Sequence, residues 1–155
     1  MNFRDALNTF LAQLTPQPWD YTTHDGTTLT VIPAGLPEDI GEAEVYIRIT
    51  ASKTLAAEAA ITTTDLPALI TALSEPVTGP WEHTAHYPDG IQRYSSYGLT
   101  LAPAADSGFV VTVSEDIDTG TVSAAVRLPE RQRMPLASAL RRALDVARDW
   151  ESDRG

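Results

Sequence analysis

The chain is 155 residues long, 43% hydrophobic and 21% charged, which suits one globular domain and leaves no room for two independent cores. Twenty-one acids oppose eleven bases, for a formal net charge of −10, so free nucleic acid and anionic membrane are poor default partners. Cysteine is absent, which removes disulfides, thiolate catalysis and every zinc site that needs sulfur.

The chain opens Met1-Asn2-Phe3-Arg4-Asp5, without an apolar run long enough for a signal sequence, and has no stretch of about 18 apolar residues. The expectation is a cytoplasmic protein. Ten of the eleven bases are arginine, with Lys53 the only lysine, a bias associated with high-GC bacteria and their phages.

Phe3, Ala6, Leu7, Phe10, Leu11 and Leu14 recur at helical spacing and predict an amphipathic helix over 2–15. Pro16 and Pro18 stop it, because proline lacks the amide donor and disfavours helical geometry in the residue before it. Leu29 and Val31 follow, then an acidic loop, then Val45, Ile47 and Ile49 alternating with Tyr46, Arg48 and Thr50. Period two means strands with one buried face. Leu55, Ala57, Ala59 and Ile61 continue the alternation beyond a turn at Ser52-Lys53, so an antiparallel hairpin is predicted. Thr64-Asp65 offers a cap for a second helix carrying Leu66, Leu69, Ile70 and Leu73, with Pro67 tolerated in its first turn. A third helix from about Met134 to Trp150 carries Leu136, Leu140, Ala143, Leu144 and Ala147 on one stripe.

The strongest pattern is an internal repeat. Pro18-Trp19-Asp20-Tyr21-Thr22-Thr23-His24-Asp25-Gly26 returns as Pro80-Trp81-Glu82-His83-Thr84-Ala85-His86, followed after Tyr87-Pro88 by Asp89-Gly90. In the same order, Leu29 to Ala34 matches Leu99 to Ala104, Val45 to Ile49 matches Phe109 to Val113, and Leu55 to Ile61 matches Val122 to Leu128. Leu66-Pro67 likewise matches Met134-Pro135. The fold class is therefore α+β, built from a duplicated strands-then-helix unit about a pseudo-two-fold, with three helices and either two antiparallel sheets or one joined sheet. The chain divides as a single domain over 1–155, with the helix at 2–15, repeat one at 18–75 and repeat two at 80–150.

No catalytic signature emerges. His24 and His86 fall at the same point of the repeat, each near an acid, and His83 lies close to His86. Histidine beside carboxylate is the minimum for acid/base or metal chemistry, but Asp-Gly also marks a hairpin turn, which explains the coincidence without function. Trp19 and Trp81 open their strands and are read as packing residues. Trp150 ends the third helix, either folded back onto the sheet or offered to another chain. No G-x-S-x-G, glycine-rich phosphate loop or H-E-x-x-H occurs. The chain is read as a non-enzyme with no cofactor and no metal.

Charge is uneven along the chain. Residues 1–126 hold sixteen acids and four bases, whereas 127–155 hold five acids and seven bases. Arg131, Arg133, Arg141, Arg142 and Arg148 are expected to solvate one helix face and pair with Asp145 and Asp149. The densest acids are Glu38, Asp39, Glu42 and Glu44 in the first acidic loop, and Glu115, Asp116 and Asp118 in a later turn. These seven are the candidate partner-binding residues.

The order helix, strands, helix, strands, helix, with Asp25-Gly26-Thr27-Thr28-Leu29-Thr30-Val31 ahead of the Leu66-Pro67-Ala68-Leu69 helix, resembles the YbjN and type III secretion chaperone-like fold. That resemblance implies a protein-binding module: a small chaperone, adaptor or neutraliser of a basic protein partner, steered by complementary charge and compatible with a homodimer. The repeated strands-then-helix unit is also similar to Whirly and PUR-type nucleic-acid folds, which imply a single-stranded nucleic-acid binder using the C-terminal arginines. Because each phosphate contact needs a cation and the strand faces offer mainly Arg48, Arg93 and Arg127, the acidic body makes nucleic acid the less favoured partner. A ligand or metal site at His24 and His86 is the third reading.

Overall fold

The computed structural model describes residues 19–33, 43–86, 94–117 and 120–154. The helix expected at 2–15, the acids Glu38, Asp39, Glu42 and Asp118, and Arg93 lie outside these residues.

Two separate four-stranded antiparallel sheets form, joined end to end in sequence. The first runs in the order β1 (Trp19–Thr22), β2 (Thr28–Pro33), β3 (Glu44–Thr50), β4 (Ala56–Thr62) and is followed by helix α1 (Leu66–Ala72). The second runs β5 (Trp81–His86), β6 (Tyr94–Pro103), β7 (Phe109–Ile117), β8 (Gly120–Leu128) and is followed by a single 3-10 turn (Glu130–Gln132) and helix α2 (Arg133–Arg154). The described residues thus hold two helices and two sheets, not a joined sheet.

Pairing registers of the two sheets correspond position by position. Trp19 faces Val31 and Val31 faces Ile47, which faces Ala59. In the second sheet Trp81 faces Leu101 and Leu101 faces Val111, which faces Val126. These are the residues aligned by the repeat in the sequence. Alternation then fixes which face is buried, because a slip of one residue would expose the whole apolar set. One row of partners on the core side runs Leu29, Ile49, Ala57; its counterpart runs Leu99, Val113, Ala124.

The correspondence ends at the helices. Leu66 is buried at the start of α1, whereas Met134, its partner in the repeat, is 52% exposed. α2 runs about four turns past the point that matches the end of α1, and its stripe of Leu136, Leu140, Ala143, Leu144 and Ala147 is buried as expected. One contiguous apolar cluster draws on both sheets and both helices, with Trp19, Trp81 and Trp150 half-buried against it. Trp150 is therefore folded back onto the core.

Helix starts differ from expectation. Asp65 occupies the cap position of α1 with helical backbone angles and makes no side-chain cap bond; its carboxylate instead sits 3.7 Å from His83 Nε2. Arg133 is not on the solvated face. Its side chain is 11% exposed, its Nε donates to Glu130 Oε1 at 2.6 Å, and its Nη1 donates to the carbonyl of Leu73 at 2.6 Å. It thereby satisfies a carbonyl at the end of α1, which has no partner within its own helix. At the other end of α2, Glu151 Oε2 accepts from the amide of Ala43 at 2.9 Å and from Thr63 Oγ1 at 2.7 Å. The long helix is thus fastened at both ends to structure from the first half of the chain.

Among the described residues no helix is long and apolar enough to cross a membrane.

Candidate functional site

Backbone pleating separates the acids that sequence proximity had grouped. Glu115 and Asp116 belong to β7, not to a turn. Glu115 faces Tyr97 and Val122 in the register of the buried row, while Asp116 points to the opposite face and accepts from Thr121 Oγ1 at 2.7 Å. Neighbouring strand residues point to opposite faces, so they form no single patch. Glu44, the first residue of β3, is 1% exposed and is not a surface acid at all.

The outer faces of the sheets are poor in free cation. A row across the first sheet reads Asp20, Thr30, Arg48, Glu58, and Arg48 Nε is bonded to Glu58 at 2.7 Å. The corresponding row of the second reads Glu82, Thr100, Thr112, Ala125, with the ion pair replaced by a hydroxyl and a methyl. Arg127, also on that face, is paired with Asp106 at 2.7 Å. Among the described residues, exposed cations held by no ion pair are Lys53 in the β3–β4 turn, Arg131 in the 3-10 turn and, as a group on α2, Arg141, Arg142 and Arg148. The expected partners Asp145 and Asp149 are exposed on the same face, but among the described residues no arginine reaches either within ion-pair distance.

A cleft of about 540 Å³ opens where the β1–β2 turn approaches β8. Tyr21, His24 and Asp25 line one wall; Asp106, Val110 and Arg127 line the other. The first wall is built by a tight turn. Gly26 adopts φ +94°, a region that costs a side chain but not glycine, and Asp25 accepts from Thr23 Oγ1 and from the Thr27 amide at 3.1 Å. The second wall rests on the β6–β7 turn, where Asp106 Oδ1 accepts from the Gly108 amide at 3.3 Å. A Cβ on Gly108 would lie 2.4 Å from the Leu128 carbonyl oxygen, so only glycine lets this turn close on the end of β8.

Both cleft carboxylates are held below their ordinary pKa. The Thr23 hydroxyl and then the Thr27 amide act on Asp25, and Arg127 and then the Gly108 amide on Asp106. A depressed folded-state pKa stabilises the fold above the unfolded value of 3.8 and the contribution is lost as pH falls through the lower folded value. The protection factors of the Thr27 and Gly108 amides, observed exchange rates corrected for the intrinsic slowing of exchange in acid, are therefore expected to fall as pH is lowered, and Asp25→Asn or Asp106→Asn should flatten that dependence for its own turn. An unchanged pH profile in both variants would contradict it.

The histidines separate. His24 lies in the β1–β2 turn on the cleft, whereas His86 is the last residue of β5, pairing with Ser96. His83 is half-buried, stacked 6.3 Å from Trp81 and 3.5 Å from the Tyr97 hydroxyl, which makes it part of the packing at the edge of the second sheet. No group of three His, Cys, Asp or Glu side chains among the described residues is close enough to hold a metal. Sequence reasoning counted Arg127 among the strand-face cations but missed the cleft, the pairing of Arg127 with Asp106, and Glu151: each joins residues from distant stretches, and no local motif marks them.

No family model and no curated protein matches the sequence. Solved structures do match in fold. The chain is similar to MRP1/MRP2 of Trypanosoma brucei (TM-score 0.60, 15% identity, covering 93% of this chain and 94% of that one). It is also similar to WHY1 from Arabidopsis thaliana (0.61, 16%, 88% and 94%) and to the plant transcriptional regulator PBF-2 (0.59, 17%, 90% and 96%). The fold is thus of the Whirly type, and the YbjN and type III secretion chaperone-like assignment is corrected. The expectation of an acidic, chaperone-like protein-binding module falls with it, as does the ranking of nucleic acid as the unfavoured partner. Net charge sums over the whole surface, while a binding face depends on where unpaired charges sit.

Proposed function

We propose that this chain binds single-stranded nucleic acid, without catalysis, through the exposed arginines of α2 and the cleft beside β8. The observation that carries the reading is the likeness to Whirly-type structures over about nine-tenths of the chain. Whirly is one of the two nucleic-acid folds the repeated unit resembles. The matching strand registers support an origin of the two sheets by duplication about a pseudo-two-fold, within one domain. A reducing cytoplasm suits a chain without cysteine.

Phosphate binding would fall mainly to Arg141, Arg142 and Arg148, since Arg48 and Arg127 are already neutralised. Three phosphate contacts on a single strand give a salt dependence of log K on log salt of about −2, a shallow slope. Non-electrostatic contacts then carry much of the affinity, as on stacking platforms. Fluorescence anisotropy with labelled single strands at several salt concentrations tests this. Binding with that shallow slope is expected, and the triple replacement of Arg141, Arg142 and Arg148 by Ala should flatten it and weaken every sequence alike. Absence of single-strand binding at low salt sinks the reading, and an unaffected triple variant removes α2 from the interface.

A further inference from the structure

The cleft beside β8 is chemically one-sided. Its volume of about 540 Å³ falls in the range of ligand sites, and Tyr21 and His24 offer it ring surface. Asp25 and Asp106 each engage the protein through Oδ1, and both are exposed. Two carboxylates stand against one guanidinium, which Asp106 already engages. A phosphate is repelled from such a place. An ionised carboxylate only accepts hydrogen bonds, so what suits the cleft is a flat group with N–H donors on its edge.

Resting on the single-strand reading above, we propose that this cleft takes one unpaired base bearing an exocyclic amino group, cytosine in preference to thymine, with its amino hydrogens donated to Asp25 or Asp106 and its ring against Tyr21 and His24. Cytosine and thymine differ at the edge in question by an amino group against a carbonyl oxygen. The carbonyl would set acceptor against acceptor and lose the hydrogen bond that the amino group makes. Arg127, on the same wall, supplies the one cationic donor for the ring carbonyl that both pyrimidines share. The phosphates stay outside, free for the arginines of α2.

The experiment compares oligo(dC) and oligo(dT) of equal length at neutral pH and fixed salt by anisotropy. Oligo(dC) should bind about fivefold tighter or more, and Asp25→Asn with Asp106→Asn should bring the two close to parity. Because those carboxylates also hold turns, a second measurement uses the unaltered protein: the ring resonances of His24 should shift on adding oligo(dC). Equal affinity for the two strands overturns the cleft proposal and leaves single-strand binding standing, as does a preference without any change at His24. Failure of both strands to bind overturns both.

Discussion

Replacing Phe109 with Ala is expected to destabilise the protein by about 3–5 kcal/mol, the cost of a large core truncation that leaves a cavity. Phe109 opens β7, is wholly buried, and sits between Pro103 on one neighbour and Leu128 on the other. Its counterpart in the first sheet is Val45, equally buried between Pro33 and Ile61. A valine side chain is smaller, so Val45→Ala removes fewer buried carbons and should cost clearly less than Phe109→Ala. Urea unfolding of both variants checks the pair. A loss below about 1 kcal/mol at Phe109 would mean that the second sheet packs more loosely than its register implies.

The second large effect is expected at Glu151. Its Oε2 is the shared acceptor for the Ala43 amide and the Thr63 hydroxyl, and both of those residues are buried. Glu151→Ala leaves two buried donors without their partner, at a cost of about 1–3 kcal/mol each at most. Glu151→Gln keeps an oxygen acceptor and should recover part of that stability. Because α2 also carries Arg141, Arg142 and Arg148, loosening its end from the first sheet should weaken single-strand binding more than the same loss of stability placed in β7. Chemical denaturation and anisotropy on the same samples separate the two effects, and identical binding by Glu151→Ala and the unaltered chain would show that the anchor is structural alone.

Much of the fold is legible in the sequence because strands and helices write their buried face into the chain at fixed periods. The alternation in Val45, Ile47 and Ile49, the stripe from Leu136 to Ala147, and the recurrence of the tryptophan motif predicted which residues would be buried and which would pair. Those are local or strictly periodic facts, and apolar burial enforces them. The number and separation of the sheets, by contrast, follow from how two apolar faces meet, which no single strand records.

The site was legible only in fragments. Asp25-Gly26 announced its turn and Arg141 and Arg142 their helix face, but the cleft exists because the β1–β2 turn comes to rest against β8, about a hundred positions away in the chain. Glu44 and Asp116 show the limit most plainly. Both stand in runs of acids, yet one is buried at the start of β3 and the other is split from Glu115 by the pleat. Sequence by itself determined the charge of each side chain and the face of its own element; only tertiary packing decided which charges are buried, paired or free, because those outcomes depend on neighbours that are distant in the chain and close in space.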